Sequence, residues 1–243
     1  AFASASKDYT YYEGLAAYTD GDNFDKALAE EYKAAAIDEL TAAGATFPIK
    51  MLMCYNPTSA NWAQECQVVE QQIETVLGAD YVDIIIQAGP ETGFLGAIRR
   101  TGNYAFMKCN WGADYADPET WTDPFSADSS YSFIFKSTDP ETQALYAEYT
   151  ELVDAAKAIT DDMDARYTAF AKAEAFLLDH AFAVPFSISN RSYQMCNLNV
   201  FEGQYASFGL ANQRYKDQHL YSSSMGLEEY QAAYAEWQSK KAG

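Results

Sequence analysis

The sequence predicts an α/β fold, on three observations. Amphipathic helical periods alternate with short apolar runs from about residue 22 to residue 110. The first two helical periods open near capping residues and close on glycine. The apolar runs between them have strand length and turn residues on both sides. Helix, strand, helix, strand at these lengths implies crossover connections over a largely buried sheet.

The elements follow in order. Asp22 or Asn23 caps a first helix running to about Ala43, with Phe24, Leu28, Tyr32 and Leu40 as its inner stripe and Gly44 as its stop. Residues 47–54 read as a buried strand. Thr58 or Ser59 opens the next helix, where Trp62, Cys66, Val69, Ile73 and Leu77 recur at helical spacing and Gly78 ends it. Residues 81–87, with three consecutive isoleucines, form another strand; 91–100 fit a short helix, and 103–110 return as a strand. Residues 111–136 are irregular, rich in Asp, Ser, Pro and aromatics. Asp139 then caps a helix with Pro140 at its first position and Leu145, Tyr149, Leu152 and Ala156 on one face. Thr160 or Asp161 opens a further helix, with Met163, Tyr167, Phe170 and Leu177 turned inward. Residues 182–188 read as a strand whose Pro185 places it at an edge or end. Signals weaken over 190–224, which suggest strands in loops. Leu227, Tyr230, Tyr234 and Trp237 define a last amphipathic helix, its dipole complemented by Lys240 and Lys241.

Of the 243 residues 49% are hydrophobic, which supports a sizeable core and argues against intrinsic disorder. No apolar stretch approaches the roughly 20 residues of a membrane span. Thirty-five acidic residues against sixteen basic ones give a net charge of −19, which repels phosphate backbones and anionic lipid heads. Nucleic acid and membrane surfaces are therefore poor partners. Aromatic residues reach 15%, either as a tyrosine-rich core and surface or as an amphipathic pocket lining. Cys54, Cys66, Cys109 and Cys196 lie far apart without a CxxC pair, and only His180 and His219 are available beside them, so no metal site is expected. Four cysteines permit three complete pairings, and buried small apolar thiols are the other reading. Residues 1–6 lack the basic and apolar regions of an export signal, which leaves a cytoplasmic protein or a sequence taken from inside a longer precursor.

Catalytic constellations are scarce. There is no GxSxG elbow, Walker motif or HExxH helix. His180 falls at a helix end, where bonding to terminal carbonyls is expected, and His219 in a loop with no placed partner. Asp161, Asp162 and Asp164 read as a helix N-terminus. A carboxylate hydrolase is the enzymatic alternative. Asn190-Arg191-Ser192 matches a glycosylation sequon formally.

The informative segment is NYAFMKCNWGADYADPETWTDPF, residues 103–125. A strand runs into Trp111, Gly112 and Ala113 allow close backbone approach, Asp114 and Tyr115 follow, Asp117-Pro118 begins a turn or helix, and Trp121 packs behind. An indole, small residues exposing backbone groups and a carboxylate at a strand's carboxyl end make a ligand cradle. A packed strand-to-helix corner capped by Asp117 is the other reading.

The run WGADYADPETW resembles the W-x-x-DY-x-DP segment of the oligopeptide- and dipeptide-binding proteins of ABC importers, solute-binding protein family 5. Other stretches agree in order and spacing. The first helix ending at Ala43-Gly44 is similar to the family's LLxEAG segment, FPIKMLMCYN to its next strand, and QVVEQQIETVLG to its next helix. Thr101-Gly102-Asn103-Tyr104 stands at a G-[DN]-Y-D turn, and AFLLDHAFAVPFSI is similar to ILLEDAPVIPLY. The resemblance covers about residues 14–190 and, loosely, the tail. Thr101-Gly102 departs from the acidic pattern, and Phe106 replaces the aspartate after the turn.

The resemblance implies the carboxy-terminal half of a protein whose two lobes close on a ligand by hinge motion. The fold expected is a periplasmic-binding-protein type II lobe like domain III of the dipeptide-binding proteins, a mixed sheet flanked by helices. Residues 1–190 would be the second, ligand-binding lobe, and 191–243 a tail crossing back toward the first. Asp114 stands where the oligopeptide binders hold the peptide α-ammonium, a buried charge that needs a paired carboxylate. Trp111 matches an indole lining a side-chain pocket, and Gly112, beside Ala113, a position offering backbone hydrogen bonds to an extended peptide. Lys108 and Arg99 match basic positions near the ligand carboxylate, Lys108 as a point charge rather than a planar fork. Implied further are a peptide ligand, the membrane subunits of an ABC importer as partners, an extracytoplasmic location with a lipid anchor in the preceding half, no cofactor and no catalysis. An oligosaccharide or a metal chelate is the alternative ligand.

Overall fold

The computed structural model describes residues 9, 12, 14–19, 24–131, 136–188, 196–203 and 214–241. A short helix α1 (Ala16–Thr19) leads to α2 (Lys26–Ala42), β1 (Ile49–Tyr55), α3 (Trp62–Leu77) and β2 (Val82–Ala88). A wide helical turn, Leu95–Arg99, precedes β3 (Phe106–Met107). A single turn α4 (Glu119–Thr122) runs into a tight turn at Asp123–Phe125, and α5 (Pro140–Lys157), α6 (Met163–Asp179) and α7 (Leu227–Lys241) follow.

The alternation of helix and strand is as the sequence predicts. The sheet has the order β2-β1-β3. Both pairings are parallel, Ile49 with Val82 through Tyr55 with Ala88, and Met53 and Cys54 with Phe106 and Met107. The sheet expected to be mixed is thus parallel in its three described strands, because α3 and the wide turn bring the chain back to the same end each time. The strand expected over 103–110 shrinks to two residues at the sheet edge, although Ala105 and Lys108 still donate backbone bonds to Leu52 and Cys54. Phe106, where the family pattern has aspartate, packs with Met53, Cys66, Val82 and Ile84 under α3. On the outer side of β2, the Ile84 amide donates to the Glu74 carboxylate of α3 at 2.8 Å.

A second core joins α5 and α6 through Tyr149, Val153, Ala156, Phe170, Ala173 and Leu177. Tyr12 and Leu15 extend it against Tyr167 and Ala171. On α5 the buried face is centred on Tyr146, Tyr149 and Val153, with the expected Leu145 and Leu152 half-buried at its margins.

The helix faces hold one clear correction. Phe24, Leu28 and Tyr32 are 63%, 43% and 67% exposed, and α2 buries no residue fully. The side turned to the protein is Ala29, Lys33, Ala36, Ile37 and Leu40, with Lys33 over the Tyr81 ring at 5.5 Å. Two apolar stripes about one residue apart satisfy the same period, and the one carrying alanines lets the helix sit closer. The α2 cap is Asp25, whose side chain accepts from Leu28; Asp22 and Asn23 lie outside the described residues.

Asp139 and Pro140 start α5 as predicted. Asp162, one residue past the expected opening, caps α6 by accepting from the Ala165 amide at 2.9 Å. Helix α3 begins at Trp62, a turn later than expected, after left-handed Asn61. Asp162→Ala is expected to lower stability by about 1 kcal/mol in urea denaturation, and no change in midpoint would show the cap to be idle.

Residues 182–188 carry no strand ladder, contrary to expectation. Pro185 lacks a donor, and Val184 and Ile188 are 80% and 95% exposed, with no sheet neighbour over them among the described residues. In the tail, an antiparallel bridge joins Leu198 to Leu220, and Phe201 packs on Tyr230, Tyr234 and Trp237 of α7. The sequon Asn190-Arg191-Ser192 lies outside the described residues.

Candidate functional site

Because β1 and β3 run parallel, their carboxyl ends open at one edge of the sheet, where open α/β sheets hold ligands. The chain leaving β3 enters the cradle there. A concavity of about 70 Å³ lies beside it, lined by residues that include Asn56, Ser59, Trp62, Phe94, Arg99 and Lys108. The two predicted cations thus share one recess.

Each cation is held. Lys108 pairs with Glu65 at 2.7 Å, and its ammonium lies over the rings of Trp62 and Phe186 at 5.3 and 4.8 Å. Arg99 is 4% exposed, with its guanidinium 5.0 Å from the centre of the Tyr131 ring. Burial pushes the Arg99 pKa below its ordinary value, which still leaves it charged. Trp111 meets the same Tyr131 edge-on, ring centres 4.7 Å apart. Tyr131 therefore joins Trp111 to Arg99.

The cradle itself hangs on Thr120. The Trp111 indole donates to the Thr120 carbonyl at 2.6 Å, and the Asp114 amide donates to the Thr120 hydroxyl at 3.1 Å. The Asp114 side chain is exposed and has no ion-pair partner among the described residues. Gly112 is exposed as well, and a Cβ there would meet nothing within 4 Å, so its backbone is open to a ligand. Ala113 is half-buried between them. No ion pair links Asp114 to Arg99 or Lys108 among the described residues.

Asp117 does what a corner residue does. It accepts the Glu119 amide and binds Arg166 of α6 through both oxygens, at 3.0 and 2.9 Å. Arg166 also bonds Glu119 at 2.7 Å and the carbonyls of Ala156, Lys157 and Ile159 at the end of α5. Tyr149 adds a bond to the Thr122 carbonyl at 2.8 Å, and Lys157 pairs with Asp123. These contacts fasten the cradle's base to the α5–α6 pair. Trp121 is 41% exposed, and Thr120 and Thr122 take the buried positions of that turn.

Sequence reasoning missed Tyr131, Trp62, Phe186, Thr120, Glu65 and Arg166. Only Arg166 carried a local signal, a charge in the inner stripe formed with Phe170, Ala173 and Leu177. His180 ends α6 as expected, its amide donating to the Phe176 carbonyl at 3.1 Å while its ring packs between Phe176 and Phe182, and His219 meets Glu202 at 3.2 Å. All four cysteines are free thiols, Cys54 and Cys66 buried, Cys109 and Cys196 exposed. Among the described residues no cluster of His, Cys, Asp or Glu has the makings of a metal site, and no helix is long and apolar enough to cross a membrane.

No family model matches the sequence. The chain is 31% identical over 235 residues to the oligopeptide-binding protein AmiA of Streptococcus pneumoniae, covering 90% of this chain and 35% of AmiA. It is 30% identical over 237 residues to AliA of the same organism, covering 90% of the chain and 36% of that protein. SarA of Streptococcus gordonii, another oligopeptide-binding protein, is 27% identical over 234 residues, with 90% and 35% covered. The chain thus spans about a third of the length of these curated relatives. Among solved structures, a peptide-binding protein of a peptide ABC transporter superposes with TM-score 0.54 at 24% identity, over 73% of this chain and 69% of that one. The substrate-binding domain of an oligopeptide ABC transporter from Bacillus anthracis gives 0.54 at 23%, over 72% and 30%. These two likenesses establish the fold.

Proposed function

Because the chain belongs to the oligopeptide-binding protein family over nine-tenths of its length, we propose that it forms the peptide-holding lobe of the substrate-binding component of an ABC importer. Residues 1–190 are the lobe, and 191–243 the tail that returns toward a first lobe. The component works outside the cytoplasm, held there by a lipid anchor on the preceding part, and hands its ligand to the importer's membrane subunits. The observation that carries this reading is the 31% identity with AmiA over 90% of the chain.

The geometry supports a role for each residue. Asp114, exposed and without an ion-pair partner among the described residues, takes the ligand's α-ammonium once the second lobe excludes water. Gly112 and Ala113 offer backbone groups to an extended peptide. Trp111, set by Thr120 and Tyr131, lines a side-chain pocket. Arg99 puts positive charge at the recess for the ligand's acidic end, with Lys108 beside it held in its pair with Glu65. A free amine at one end and a variable side chain over the indole describe a peptide better than a sugar or a chelate.

Binding without chemistry is the expected outcome. The protein carrying both lobes should retain short peptides and return them intact, as chromatography of a peptide mixture before and after incubation would record. New amines accumulating with time would instead establish a hydrolase.

A further inference from the structure

Lys108 reaches the recess already neutralised. Its ammonium is 2.7 Å from Glu65, and the two side chains are 14% and 36% exposed. The rings of Trp62 and Phe186 occupy two further sides of the cation. Glu65 lies in the first turn of α3 and stands behind Lys108, outside the lining of the recess.

We propose that Glu65 is a specificity-determining residue, which holds Lys108 as an internal ion pair and thereby sets this corner of the site against ligands that bring a second carboxylate to it. The proposal rests on the reading of the chain as a peptide-holding lobe. A ligand carboxylate arriving at Lys108 has two options. It displaces Glu65, which leaves that half-buried carboxylate without its cation, or it shares the ammonium, which crowds two like charges round one. A neutral polar side chain meets neither penalty and finds Asn56, Ser59 and Asn110 on the walls. Rejection by a built-in like charge is a recurrent route to selectivity. Glu65 acts through Lys108, so it is a positioning residue, and its mark is a ratio of affinities, which a merely structural role would leave unmoved.

The test is calorimetry on the protein carrying both lobes, with matched tetrapeptides that bear Glu or Gln at one position in turn. Wild type should prefer the Gln member at the position facing the recess. Glu65→Gln should move the Glu-to-Gln affinity ratio there by about tenfold or more toward Glu. Glu65→Asp, which keeps the charge, should stay near the wild-type ratio. In a Lys108→Met background the gain from Glu65→Gln should shrink at least about threefold, because no freed ammonium remains to receive the ligand. An unchanged ratio in Glu65→Gln, or an equal gain with and without Lys108, overturns this inference while peptide binding itself stands. A wild-type protein that binds none of the peptides overturns the functional reading and this inference together.

Discussion

Replacing Arg166 by methionine is expected to destabilise the protein by about 3–5 kcal/mol, the usual cost of removing one member of a buried ion pair. Every arm of the guanidinium is engaged. Two nitrogens grip Asp117, one of them also holds Glu119, and the third bonds three carbonyls at the end of α5. The side chains of Arg166 and Asp117 are only 9% and 18% exposed, so water replaces little of what is lost. Methionine keeps most of the volume over Phe170, whose ring lies 4.8 Å from the guanidinium carbon. The loss then reports the stranded carboxylates and carbonyls rather than a cavity. Arg166→Lys should recover less than half, since a point charge spans neither both oxygens of Asp117 nor the helix end. Urea denaturation measures both variants. A shift below about 1 kcal/mol would place this cluster with solvated surface pairs and remove it as the anchor of the cradle.

Asp114→Asn is expected to weaken binding of peptides with free amino termini by about 2–5 kcal/mol, or about 30- to several-thousand-fold, in the protein carrying both lobes. N-acetylated versions of the same peptides should lose far less. Asparagine keeps the size and one acceptor oxygen but removes the charge that compensates a desolvated ammonium. In this lobe the Asp114 carboxylate is exposed and its backbone amide is fixed to Thr120, so the substitution leaves the cradle's own bonds in place. Calorimetry with free and acetylated forms of one peptide reads the difference directly. Equal losses for both forms, or a loss below about 1 kcal/mol, would make Asp114 a surface residue.

The two experiments probe different ends of one segment. Arg166 tests whether residues 117–119 are locked to α5 and α6, and Asp114 tests what the locked segment presents. Loss of peptide affinity in Arg166→Lys at a temperature where it remains folded would connect them.

The sequence by itself determined the α/β alternation, the glycine stops at Gly44 and Gly78 and the Asp139-Pro140 start of α5. Those features are written within a few residues, because caps, turns and periodicity depend on neighbours along the chain. The tertiary structure alone decided which stripe of α2 faces inward, and it chose Ala29, Ala36 and Ile37 over Phe24, Leu28 and Tyr32. It decided also that Asp117 belongs to Arg166, 49 residues away, while Asp114 stays open. Lys108, which its spacing leaves equally open to a ligand, is paired by the fold with Glu65 of α3. Charges in so acidic a chain have many possible partners, and one-dimensional spacing ranks none of them. The choice is made when parallel strands bring β3 next to β1 and set the first turn of α3 against Lys108, since only there does desolvation make one pairing worth more than the rest.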